Sequence, residues 1–151
     1  MKRKALLLLT LIFCSIFSLS ANQPDDPPEK REVKVYHTKK IQENAPVIDG
    51  DFNDPVWESV EWGSNFKQRE PNDGQPESQE TLFKILYDNA HIYVAIKAKD
   101  NKPGEIVRRL SRRDGFEGDF VEVMFDSYYD KRTAFSFTAT AAGVKGDEMI
   151  T

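Results

Sequence analysis

The chain has 151 residues, 39% hydrophobic and 30% charged, with 21 Lys+Arg against 25 Asp+Glu and a formal charge of −4. That length holds one domain with a genuine core and excludes two. The acidic balance argues against nucleic acid as a partner.

Lys2-Arg3-Lys4, the apolar run 5–19 and the small residues of Ser18-Leu19-Ser20-Ala21 have the layout of a secretory signal peptide over residues 1–20. The apolar run is shorter than the roughly 20 residues a spanning helix needs, and a polar, proline-bearing segment follows it. Cys14 is the only cysteine and lies inside that signal, so the exported domain is expected to carry no disulfide, thiolate ligand or cysteine nucleophile. Removal of the three N-terminal cations takes the formal charge to about −7.

Residues 21–32 are proline-rich and charged with nothing to bury, which makes them a linker. Val33-Lys34-Val35-Tyr36 alternates and predicts a first edge strand. Val47-Ile48 predicts a short strand and Gly50 a tight turn. Asp54 before Pro55 predicts a capped helical turn that points Val56 and Trp57 inward. Trp57 fits a core plug better than a ligand platform, while Trp62, among polar neighbours, suits either a surface aromatic or the edge of the core.

Residues 67–79 form a polar loop with turn signals at Asn72-Asp73-Gly74 and Pro76. A hairpin follows, with strands over 80–87 and 91–99. Phe83, Ile85 and Tyr87 predict one inward row and Ile92, Val94, Ile96 and Ala98 another. Leu82 and Leu86 on the opposite face indicate that the first strand is central. His91 and His37 are far apart and lack ligand spacing, so neither is assigned to a metal.

A short helix is predicted over 105–110. Arg108, Arg109, Arg112 and Arg113 then crowd an otherwise acidic chain. They read either as a solvated loop paired with Asp114, Glu117 and Asp119, or as a ligand wall, since a guanidinium fork matches carboxylates and vicinal hydroxyls. A second hairpin runs through 120–140. In the first strand Val121, Val123 and Phe125 point one way and Phe120, Glu122, Met124 and Asp126 the other; in the second Phe135, Phe137 and Ala139 share one face and Ala134, Ser136, Thr138 and Thr140 the other, so the two runs can pair across 127–133. Asp119, Asp126, Asp130 and Asp147 are candidates for a calcium site if loops gather them, without the spacing of a helix-loop-helix calcium loop. No catalytic constellation is visible. The fold class expected is an all-β antiparallel sandwich, jelly-roll or immunoglobulin-like, over 33–151.

Three groups of residues occur in order: Val47-Ile48-Asp49-Gly50 with Asp54 and Trp57; Leu86-Tyr87-Asp88 with Ile92-Tyr93-Val94; and Gly118-Asp119, Val121-Glu122, Phe125-Asp126, Phe137 and Ala142-Gly143. Together they resemble the family 9 carbohydrate-binding module, a β-sandwich attached to xylanases and related glycoside hydrolases. Arg112-Arg113-Asp114, Asp130-Lys131-Arg132-Thr133 and Gly143-Val144 are similar to a subgroup. In that subgroup the module precedes a large, membrane-associated C-terminal region in exported bacterial proteins.

The resemblance implies non-catalytic binding of an oligo- or polysaccharide of the xylan or cellulose type. In sugar-binding members a tryptophan precedes the Asp-x-Val-Glu strand and the glutamate of that strand hydrogen-bonds sugar. Here Glu122 matches the glutamate, Phe116 stands near the tryptophan, and Thr138 replaces an arginine. The expected binding set is thus Phe116, Glu122, Arg112 or Arg113, Trp62 and Thr138, with calcium left open as a cofactor. The family's second tryptophan wall falls beyond Thr151, which implies a C-terminally incomplete sandwich. The alternative is an envelope interaction domain that has lost its sugar site and docks on its own C-terminal region.

Overall fold

The computed structural model describes residues 33–42 and 44–151. The signal and linker expected over 1–32 lie outside the described residues. The strands all belong to one compact unit, Tyr36–Thr151. It is all-β, with two three-stranded sheets, β1 (Lys39–Lys40), β2 (Thr81–Tyr87) and β3 (Ile92–Ala98) in one, and β4 (Phe120–Phe125), β5 (Ala134–Thr140) and β6 (Lys145–Ile150) in the other. This is the sandwich class expected from the alternating runs. Pairing is antiparallel except at β1–β2, which is parallel because the long connection from residue 41 to 80 brings the chain back to the same end. The first strand lies at Lys39–Lys40 rather than 33–36, where Val33 and Val35 are exposed, and Val47-Ile48 is an exposed loop, not a strand.

β2 is central, as its two-faced apolar pattern indicates. The better-buried face is nevertheless the one opposite the predicted inward row. Leu86 and Ala95 pack there with Ile41, Trp57 and Val60, and Phe52, Val56 and Tyr93 close the margin. The Asp54-Pro55 turn decides this. It forms a short 3-10 segment, Pro55–Ser59, that drives Trp57 to 4% exposure. Asp54 does not cap it through its side chain; its carboxylate accepts from Val47 N at 3.2 Å, while Trp57 N donates to the Asp54 carbonyl. Lys84 shares the core face, opposite Ala95. Its ammonium donates to the Trp57 carbonyl at 2.6 Å, so the buried charge has an acceptor. Phe83, on the other face, is met by the rings of Tyr36 at 4.8 Å and Phe66 at 5.6 Å.

Aspartates shape the β2–β3 and β4–β5 hairpin turns. Asp88 accepts from Ala90 N at 2.6 Å and His91 N at 2.7 Å, and from the Tyr93 hydroxyl at 2.8 Å. These bonds hold its carboxyl far below the usual carboxylate range, and push the Tyr93 phenol up. In the β4–β5 turn, Asp126 accepts from the amides of Asp130 and Lys131, and Asp130 from those of Arg132 and Thr133. Tyr129 and Lys131 have φ of 53° and 59°, a left-handed geometry these side chains rarely take without such support.

Candidate functional site

The β4–β5–β6 register builds one polar face. Residues directly opposite across an antiparallel pair point the same way, so Glu122, Thr138 and Gly146 form one row across three strands, and Met124, Ser136 and Glu148 the next. Ser136, 2% exposed, donates its hydroxyl to Oε1 of Glu122. Glu122 Oε2 has no partner among the described residues. Thr140 accepts from Val144 N at 3.1 Å and fixes the β5–β6 turn.

The segment before β4 folds back over this face. A short 3-10 segment, Pro103–Glu105, stands where a helix over 105–110 was expected. Beyond it the chain runs extended, and Arg108 bridges Gly118. Pro103-Gly104 cannot start a longer helix here because Val107 is drawn to Asp119, whose carboxylate accepts Val107 N at 2.9 Å while its amide donates to Val107 O. Gly118 has φ of 115° and lies so close to Val107 O that a side chain would collide with it. Residues 111–116 then turn through Ser111, whose hydroxyl donates to Gly115 O, and dock along β6. Asp147 N donates to Asp114 Oδ1 at 3.1 Å and Asp114 N to Lys145 O at 3.4 Å.

This docking lays the ring of Phe116 on Gly146, 5.8 Å from the Phe120 ring at a 35° tilt. A ring over an edge glycine shields backbone that has no side chain of its own. Phe116 stays 37% exposed. An aromatic plate, a carboxylate with one open oxygen and buried hydroxyls therefore share one side of the sheet.

The six expected residues separate accordingly. Phe116, Glu122 and Thr138 come together. Arg113 reaches around the β6 edge to Asp147 and also faces Asp114 at 3.8 Å. Arg112 is exposed and makes no ion pair among the described residues; its carbonyl accepts from Gly115 N. Trp62 does not join them. It meets Phe52 edge-on at 5.6 Å and carries the Lys84 ammonium over its ring at 4.8 Å, which makes it part of the surroundings of β2. Arginine pairing with Asp114 is found, whereas Asp119 holds backbone instead.

The aspartates named for calcium are engaged by protein donors: Asp119 by Val107 N, Asp126 and Asp130 by turn amides, Asp147 by Arg113. Among the described residues no group of three or more His, Cys, Asp or Glu is placed to hold a metal ion. Sequence reasoning missed Ser136, Gly146 and Glu148. The signal for Ser136 was its parity with Thr138 and Thr140; Gly146 and Glu148 needed β6, which an apolar pattern does not announce.

Comparison with curated proteins and with solved structures found no match. The family model for the carbohydrate family 9 binding domain-like group matches residues 48–148, a stretch that runs from the loop before Trp57 through most of β6. The chain belongs to the family 9 carbohydrate-binding domain-like family.

Proposed function

We propose that this domain is a non-catalytic carbohydrate-binding module, exported and acting beside the breakdown of xylan- or cellulose-type polysaccharide. The observation that carries the reading is the convergence of Phe116, Glu122 and Thr138 on one side of the β4–β5–β6 sheet. A pyranose has an apolar C–H face and a rim of hydroxyls. The exposed side of the Phe116 ring stacks on the first, and Glu122 Oε2 accepts from the second. The Thr138 hydroxyl extends the polar row, and Arg112, exposed on the covering loop, is the basic group available for a further contact to sugar hydroxyls. Binding of this kind needs no bond-making; it raises the local concentration of a tethered activity at its substrate.

Calorimetric titration with soluble xylo- and cello-oligosaccharides, with and without calcium, tests the reading. Saturable heat that is lost in Phe116→Ala and Glu122→Ala supports it. A folded protein that gives no heat rejects it.

A second reading has its own observation. On the reverse of the same sheet Phe137 and Met149 are 52% and 59% exposed beside half-buried Val121 and Val123. An apolar sheet face of that kind suits an envelope interaction domain that docks on protein. Loss of solubility or self-association relieved by Phe137→Ser, with no sugar binding, favours it.

A further inference from the structure

We infer that Glu148 makes this face selective by charge, admitting neutral or amine-bearing glycans and turning away acidic ones. The inference rests on the carbohydrate-binding reading above and concerns which glycans that site takes. Glu148 stands directly opposite Ser136, and Ser136 donates to Glu122. Two carboxylates therefore flank one buried hydroxyl on the side of the sheet that Phe116 covers.

The neighbouring charges do not neutralise them. Phe120, Met124, Ala134, Thr138 and Thr140, the remaining β4 and β5 residues on this side, carry no charge. Lys145 and Asp147 alternate to the reverse side. From the covering loop, Asp114 adds a third acid above Gly146, and Arg113 is drawn to the sheet edge by Asp147 and Asp114. Arg112 is the one basic group of that loop outside an ion pair among the described residues, a single positive charge against the three carboxylates of Glu122, Glu148 and Asp114.

Ionised carboxylates only accept hydrogen bonds, so the ligand has to bring the donors. Sugar hydroxyls do so, and a protonated amine does so with favourable charge. A glycan carboxylate brings acceptors and like charge to a site already rich in both. Two like charges about 5 Å apart near a protein surface repel enough to weaken binding at least tenfold.

Three β-1,4-linked tetrasaccharides on one backbone test this: cellotetraose, its glucosamine counterpart at pH 6 and its glucuronate counterpart, titrated calorimetrically at about 0.01 M salt. The glucuronate should bind at least about tenfold more weakly than cellotetraose, and the glucosamine at least as tightly. Glu148→Gln, with an unchanged melting temperature, should bring the two extremes to within about threefold, as should about 0.5 M salt in the native protein. Equal affinity for neutral and acidic tetramers overturns charge selection and leaves sugar binding standing. An unchanged gap in Glu148→Gln overturns the role of Glu148. No heat from any of the three overturns the binding reading together with the inference.

Discussion

A methyl group on Gly146 separates the binding plate from the fold. A Cβ built there lies 2.5 Å from Cε1 of Phe116, closer still to Cζ, and 3.3 Å from Asp114 Oδ1. Carbon atoms pack best at about 3.5–4.0 Å, so the ring has to move by an ångström or more. Gly146 has no left-handed φ, and the backbone accepts alanine. The displaced ring gives up part of its burial. Full burial of a phenylalanine is worth about 1.5–3 kcal/mol, and Phe116 is already 37% exposed, which leaves about 1–2 kcal/mol at stake. Replacing a strand glycine returns about 0.5–1 kcal/mol. Gly146→Ala should therefore lose no more than about 1.5 kcal/mol in urea unfolding. Its affinity for oligosaccharide should fall about tenfold, the equivalent of 1.4 kcal/mol for a lost stacking partner. Calorimetry on the folded variant reads the second effect and denaturant titration the first. Affinity equal to the parent's, in a variant whose ring has demonstrably moved by NMR, would refute the assignment of Phe116 as the plate.

Trp62→Ala should leave sugar affinity within about twofold while destabilising the fold by about 1–2 kcal/mol, because it removes a cation–π partner and apolar cover from Lys84; paired calorimetry and urea unfolding decide it. Lys84→Met orphans the Trp57 carbonyl and should cost about 1–3 kcal/mol in the same unfolding assay. Gly118→Ala forces a left-handed side chain against Val107 O. It should cost at least about 1–3 kcal/mol and raise hydrogen exchange across 106–118, whereas native-like exchange there would contradict the pinning role given to Gly118. Asp88 is held down by its hydrogen bonds, so the stability it contributes is present above the ordinary carboxylate pKa and lost as pH falls through its depressed value. Tyr93 is pushed up, so its share is present below the ordinary phenol pKa and lost as pH rises through the raised one. NMR titration should show Asp88 still ionised where exposed carboxylates are half protonated, and Asp88→Asn should flatten the acid limb of the stability profile.

Both hairpins were legible because alternation over six or seven residues has one structural meaning, but parity sorts each strand's faces only within that strand, and the pairing of Glu122 with Thr138 needed the register. The rest depended on contacts distant in sequence. β6 reads Lys-Gly-Asp-Glu-Met-Ile, with a glycine and three charges, and is a strand because β5 and the 111–116 loop flank it. β1 is two lysines placed by pairing with Leu86 and Tyr87. The more buried side of β2 was misjudged for a similar reason. Local pattern favours Phe83 and Ile85 as core, but the Trp57 turn, some thirty residues upstream, covers Lys84 and Leu86 instead. Phe116 was named from resemblance, while its seat on Gly146 depended on a loop that closes back from another part of the chain.

Lys84 has a consequence for how the chain finds its alignment. In a strand a shift of one residue turns every side chain over. Such a slip in β2 would bring Phe83 or Ile85 beneath the Trp57 carbonyl, leaving that oxygen without its donor and sending the ammonium to the far side. A two-residue slip keeps the apolar faces correct, and hydrophobic pattern alone barely resists it. It would still put Leu82 or Leu86 where the donor belongs. Lys84, the one buried cation among the described residues, thus works as a key in the strand, rejecting misalignments that greasy contacts would tolerate, with its specificity set by one carbonyl rather than by the whole core.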